Sequence, residues 1–228
     1  MCGRFVLNAD GKAIQQHFDL PETPMVQARY NIAPTQPVAV ISNEDPMNLT
    51  HYRWGLIPSW AKDPSIASKM INARSETAFE KPSFKNAFKR RRCLIPSTGF
   101  YEWSKKGDSK VPYFVHMKGQ ELFAFAGLWE SWTSKEGDEV RTCTILTSEP
   151  NELLRNYHHR MAVILDPSDY DLWLSKDELP TDVLMPLMRP FDETKMGVYE
   201  VSKLVNSVAN DMPELIEPFS PPQQQLLI

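Results

Sequence analysis

The chain is poor in glycine, with 9 among 228 residues, and has only three cysteines. It contains no Walker-type phosphate loop, no dinucleotide fingerprint and no serine nucleophile elbow, which removes the commonest nucleotide-binding and hydrolase signatures. Cys2, Cys93 and Cys143 form no Cys-x-x-Cys pair and leave one cysteine over in any disulfide scheme. A reduced, cytoplasmic protein is expected. Wide cysteine spacing and a single His-His pair match no zinc pattern, so neither a metal nor another cofactor is expected. No apolar run approaches the length of a membrane-spanning helix, and the N-terminus lacks the basic leader and apolar segment of a signal peptide, so no membrane association is expected. Positive charge is not in excess either. A net charge of −4 argues against nonspecific coating of nucleic acid but leaves room for a local basic groove.

What is present suits a globular protein. Hydrophobic residues make up 42% and charged residues 24% of the chain, and 19 prolines point to many short elements. Asn8 could cap a helix carrying Ala13, Ile14 and Phe18 inward. Residues 21–36 read as loop. Residues 37–42 and 49–55 read as an antiparallel pair joined at Glu44-Asp45-Pro46, and an aromatic turn follows from Trp54 to Trp60. Residues 72–80 are weakly helical, and Phe84 and Phe88 form the inward face of a helix over 82–90. From Arg92 to Thr147 the pattern is mostly strand: 93–96, 99–104, 112–117, 121–129 and 139–147, with hairpin turns at 105–110, 117–120 and 134–138. Helices are expected at 149–155, 167–175 and 181–188, with short strands at 162–165 and 198–201. The fold class is α+β: one domain over residues 1–218, an antiparallel sheet that could close into a barrel, short flanking helices, and a polar tail over 219–228.

The residue on which the chemistry turns is Cys2, directly behind Met1. Its small side chain is what methionine aminopeptidases accept. Removal of Met1 would leave an amine and a thiol on adjacent carbons, with reference pKa values of about 7.7–8.0 and 8.5. Such a 1,2-aminothiol captures an aldehyde as an imine and then closes a thiazolidine ring; an internal cysteine lacks the free amine. Alternatively, Cys2 is simply a small residue near a frayed terminus. Glu102, flanked by Tyr101 and Trp103, would gain a raised pKa if buried and so suit proton transfer, unless strand alternation turns it to water. Asn72 reads most simply as a helix cap. The side chains of His158 and His159 should point different ways, so that one of them faces any site. Arg4 and Arg74 could serve ion pairs or phosphates. Trp54, Trp60 and Phe100 read as core, with base stacking the other use. The dense run Lys89-Arg90-Arg91-Arg92 fits a helix end as well as a phosphate contact.

Together the segments Met1-Cys2-Gly3-Arg4-Phe5, Arg29-Tyr30-Asn31-Ile32-Ala33-Pro34, Trp54-Gly55-Leu56-Ile57-Pro58-Ser59-Trp60 and Ile71-Asn72-Ala73-Arg74-Ser75-Glu76-Thr77 resemble the SRAP family of SOS-response-associated, abasic-site processing proteins. The resemblance continues through Arg92-Cys93-Leu94-Ile95-Pro96, Gly99-Phe100-Tyr101-Glu102-Trp103, His158-His159-Arg160-Met161, Val201-Ser202 and Val205-Asn206. It implies covalent capture of abasic sites in single-stranded DNA, with Cys2 as nucleophile and Asn72, Glu102 and His158 completing the site. It further implies DNA contacts at Arg4, Arg74, Arg160 and the Trp54 turn, a monomeric protein, and association with the nucleoid when DNA is bound. His158 is favoured over His159 because the motif's histidine lies two places before the arginine. Ala162 stands where the family has proline. A thiol peptidase acting on its own N-terminus or other peptides is the alternative from the same cysteine. A noncatalytic single-strand binding module is the alternative from another class.

Overall fold

The computed structural model describes residues 2–119 and 122–220. Its strands are β1 (Phe5–Leu7), β2 (Arg29–Ile32), β3 (Pro37–Ser42), β4 (Leu49–Trp54), β5 (Asn72–Arg74), β6 (Arg92–Ser97), β7 (Gly99–Lys106), β8 (Ser109–Met117), β9 (Phe123–Thr133), β10 (Glu139–Ser148), β11 (Met161–Ala162), β12 (Ile164–Leu165) and β13 (Met196–Glu200). Strands β3, β4, β10, β9 and β6 close into a barrel. All of its seams are antiparallel except that between β4 and β10, where Arg53 pairs with Thr142 and Trp54 with Cys143. Closure removes the free edges that an open sheet would expose. A second, five-stranded sheet runs β13-β8-β7-β1-β2 and packs over the barrel. The expected antiparallel, barrel-forming α+β domain is therefore what forms.

Phe5 and Phe100, opposed on β1 and β7, join the two layers by packing edge-on against Phe125 of β9. The other face of the second sheet buries Val6, Tyr101 and Phe114 beneath Val201, Val205 and Leu215 of the C-terminal segment. Both faces of β7 are thus covered at its N-terminal end. Glu102 shares the barrel-facing side with Phe100, because side chains alternate along a strand.

The helices are short. α1 (Gly11–His17) is capped by the Asp10 side chain, which accepts from the Ala13 N–H, and not by Asn8. α2 (Ser75–Ala78) and α3 (Lys85–Arg90) follow β5. The region 149–155 supplies only a 3-10 turn at Leu154–Asn156, and 167–175 and 181–188 each divide into a 3-10 turn and a single α-turn. Residues 21–36 are not all loop, since β2 pairs with β1. Asn72 is not a helix cap: it opens β5, which runs parallel to β10. The fold extends to Phe219, whose N–H donates to the Glu200 carbonyl, and the remainder of the expected tail, residues 221–228, lies outside the described residues, as do Met1, Gln120 and Glu121. No described helix is long and apolar enough to cross a membrane.

Candidate active site

Cys2 precedes β1 and lies where the second sheet and the barrel part. The Tyr101 N–H donates to the Arg4 carbonyl at 3.0 Å, which carries the β1–β7 register toward the terminus. From the barrel side, the Asn72 side-chain amide donates to the Cys2 carbonyl at 2.9 Å. Asn72 reaches it because the preceding segment is tied down. The Ile71 carbonyl accepts from the Trp54 indole N–H and the Ile145 N–H, and the Leu56 N–H donates to the Met70 carbonyl. Gly55 permits this turn, since it takes φ +126° and a Cβ there would sit 2.6 Å from the Ala67 carbonyl oxygen. The Asn72 Oδ1 is buried and has no hydrogen-bond partner among the described residues, so an acceptor faces the site with capacity to spare.

Glu102 is 3% exposed, so alternation does not turn it to water. Burial raises its pKa from 4.5 to about 7. The Cys2 thiol is fully buried. Desolvation pushes its pKa well up, and the negative charge of Glu102 adds to the effect. The near-neutral reference value for the thiol therefore does not apply: sulfur rests here as S–H, because its surroundings disfavour the thiolate.

His158 is half-buried on the loop between β10 and β11. Burial holds its pKa down at about 4, so the ring is neutral at pH 7. The Arg160 N–H lies 3.0 Å and the Arg160 carbonyl 3.2 Å from His158 Nδ1, so the backbone holds this nitrogen whichever tautomer the ring adopts. The two histidines do not diverge as expected. They lie in a loop, where strand alternation does not operate, and their rings stack at 4.3 Å and 27°.

Three of the expected DNA contacts are committed internally. Trp54 is fully buried and packs edge-on against Phe5, so it cannot form a wall for DNA. Arg160 is buried, forms a two-pronged pair with Glu76 at 2.7 Å for each bond, and also donates to the Thr147 carbonyl. It anchors the His158 loop to β10 and presents no free guanidinium. Arg4 donates to Asn31 Oδ1 and the Val205 carbonyl at 2.7 and 2.9 Å. Arg74, by contrast, is exposed. The residue that sequence reasoning placed in the core and the structure places outside is Trp60, 57% exposed. With Lys62 and Lys69 it lines a groove of about 520 Å³ on the segment that leads into Asn72. Two prolines, Pro58 and Pro64, with Lys62 and Lys69 close by were the available signal. The basic run resolves into a helix end: Lys89 and Arg90 pair with Glu178, Arg91 with Glu130, and buried Arg92 donates to carbonyls of Trp173, Lys89 and Ser175.

A closed barrel and an overlying sheet thus gather a buried cysteine, a buried acid and an amide near the start of the chain. The chain belongs to the SOS response associated peptidase (SRAP) family, whose profile matches residues 1–208. It is 46% identical over 223 residues to the abasic site processing protein YoqW of Bacillus subtilis, covering 95% of this chain and 99% of that one. It is 37% identical over 194 residues to the abasic site processing protein HMCES of Gallus gallus, covering 75% of this chain and 57% of the longer relative. A crystal structure of a Bacteroides thetaiotaomicron protein superposes with a TM-score of 0.87 at 26% identity, covering 96% of this chain and all of that one.

Proposed function

We propose that this protein captures abasic sites in single-stranded DNA as a thiazolidine on Cys2, after removal of Met1. The observation that carries this reading is a cysteine at the second position, buried against Glu102 and held through its carbonyl by Asn72. The names of the relatives, as abasic site processing proteins, point to the same lesion.

The order of steps follows from the electrostatics. The thiol is held protonated, whereas a terminal α-amine with a reference pKa of about 7.7–8.0 is partly neutral at pH 7. The amine therefore attacks the aldehyde carbon first. The carbinolamine loses water, with Glu102 protonating the departing hydroxyl, and an imine results. The S–H then adds across C=N: sulfur bonds carbon, its proton passes through Glu102 to nitrogen, and the five-membered ring closes with one water lost overall. A carboxyl with a pKa near 7 gives and takes protons at neutral pH, which both halves of this sequence require. Asn72 Oδ1 accepts from the amine or from a sugar hydroxyl. A resting thiolate, which a thiol peptidase would use, is disfavoured by the same burial.

His158 is assigned to opening the closed sugar: its neutral ring takes the proton of the anomeric hydroxyl as the ring C–O bond breaks and passes it on to the ring oxygen. A denaturing gel tests both assignments. Wild-type protein should form an adduct with abasic but not with intact strands. His158→Ala should slow capture of the closed deoxyribose by at least about 10-fold while capturing a simple open-chain aldehyde at nearly the wild-type rate. An equal loss on both substrates would remove His158 from ring opening.

Arg74 is assigned to a DNA phosphate, with Trp60 stacking on a base beside it. Arg74→Ala should weaken initial binding across sequences and lower the slope of log affinity against log salt by about 0.7 for a single-strand phosphate contact. An unchanged slope would exclude the contact.

A further inference from the structure

A nucleophile at the end of a chain starts with more freedom than any other residue, yet here its surroundings are tightly tied. The ties converge on Asn31 of β2, a polar side chain with no exposed surface. Its Oδ1 accepts from Arg4 Nη1 at 2.7 Å. Its Nδ2 reaches the carbonyls of Val205, Ser207 and Asn210 at 3.3, 2.9 and 2.7 Å. Arg4 donates to Val205 and Asn206 carbonyls as well. Asp211 closes the arrangement by accepting from the N–H groups of Tyr30 and Asn31 and from Arg29. On the far side, the Trp103 indole N–H donates to Asn206 Oδ1 at 2.8 Å, from the residue next to Glu102.

Residues 202–211 therefore form a strap across the strand that delivers Cys2. The strap is a 3-10 turn at Lys203–Asn206 followed by a bend and a turn, with no sheet ladder to satisfy the carbonyls of Val205, Asn206 and Asn210; the buried Asn31 amide and the Arg4 guanidinium do so instead. Arg4 is fixed by its side chain to the strap and by its carbonyl to β7, two residues from the nucleophile.

We propose that Asn31, seconded by Asp211, is the positioning residue for Cys2: it clamps Arg4 under the C-terminal strap and so holds the terminal amine and thiol in reacting geometry. This rests on the capture reading above and deepens it. Arg4 is then a strut for the nucleophile, with Nη1 and Nη2 donating to Asn31 and to the strap carbonyls.

The test uses full-length Asn31→Ala and Asp211→Ala with two readouts. The first needs no DNA: alkylation of native protein by iodoacetamide, mapped by peptide mass. Cys2 should react at least about 10-fold faster in both variants, as expected when a local segment is freed, while Cys93 and Cys143 stay protected. The second is single-turnover capture of abasic single strands. The maximal rate should fall by about 10- to 100-fold, the scale of a misplaced reacting group, with the half-saturating DNA concentration and the salt slope unchanged. Unchanged Cys2 alkylation in both variants overturns the clamp, as does faster alkylation with an undiminished capture rate. A shift in half-saturation and salt slope would return Arg4 to phosphate binding and likewise overturn it. Should Asn31→Ala expose all three cysteines, Asp211→Ala, whose contacts lie nearer the surface, decides the matter. Wild-type protein that forms no adduct would count against the capture reading, and the alkylation rates would then judge the clamp alone.

Discussion

Cys2→Ser is expected to abolish the adduct that survives denaturation. Ring closure needs a second nucleophile on the carbon next to the amine. A hydroxyl adds to an imine weakly and reversibly, so the chemistry stops at the first step. The amine remains, and a weaker species trappable by borohydride should persist. The other two cysteines serve as internal controls. Cys93 faces Gly127 across the β6–β9 seam and Cys143 faces Trp129 across β9–β10, both fully buried in the barrel wall. Cys93→Ser and Cys143→Ser should capture normally wherever the fold survives. Loss of the adduct in a folded Cys93 or Cys143 variant, with Cys2→Ser active, would place the chemistry on the wrong sulfur.

Glu102→Gln should slow adduct formation by roughly 10²-fold and reversal by more, toward 10⁴-fold, because positioned proton transfer contributes on this scale and an imine has reactivity of its own. The pH profile carries the signature. Wild-type capture should rise as the amine loses its proton and fall above about 7 as Glu102 loses its own. Glu102→Gln should keep the rising limb and lose the falling one. Stability should move the opposite way. In the unfolded chain this carboxyl ionises near 4.5, and in the folded protein near 7. Between those values the unfolded state releases a proton that the folded state keeps, so the folded state loses stability as pH rises through this window. The loss reaches up to about 3 kcal/mol above pH 7. Glu102→Gln removes it, and thermal melts should show the variant several degrees more stable than wild type at pH 8 and nearly equal at pH 4. A variant that reacts at the wild-type rate, or melts lower at pH 8, would contradict this role for Glu102.

How much was legible in the chain depended on length and neighbours. Strands β6 to β10 could be read because each runs six residues or more with apolar, β-branched or aromatic side chains, and turn residues such as Gly107 and Gly137, both at positive φ, mark the hairpins between them. β1, β2 and β5 could not. They are three or four residues long, and β1 is buried throughout, so no alternation remains to detect. Barrel closure was hidden for another reason: the parallel β4–β10 seam joins segments far apart in sequence, and no local pattern records it. At the site, residue type and context pointed to Cys2 and Glu102, the family resemblance added Asn72 and His158, and the fold brings Cys2, Asn72 and Glu102 together. Residue type misled where burial decides. Trp54 and Trp60 belong to one turn, yet the first fills the core and the second faces solvent. Arg160 and Arg74 are both arginines near the cleft, but a carboxylate already occupies the first. Asn31 stood within a family segment without an assigned role, because its importance lies in contacts made across the whole length of the chain.

The intact mass of the purified protein, before and after incubation with a single strand carrying one abasic site, tests the central claim most directly. The account predicts a starting mass lacking Met1, and a product heavier by the strand less one water that persists after denaturation. Protein that retains Met1 and still forms the stable product, or protein that lacks Met1 and gains no mass, would contradict it.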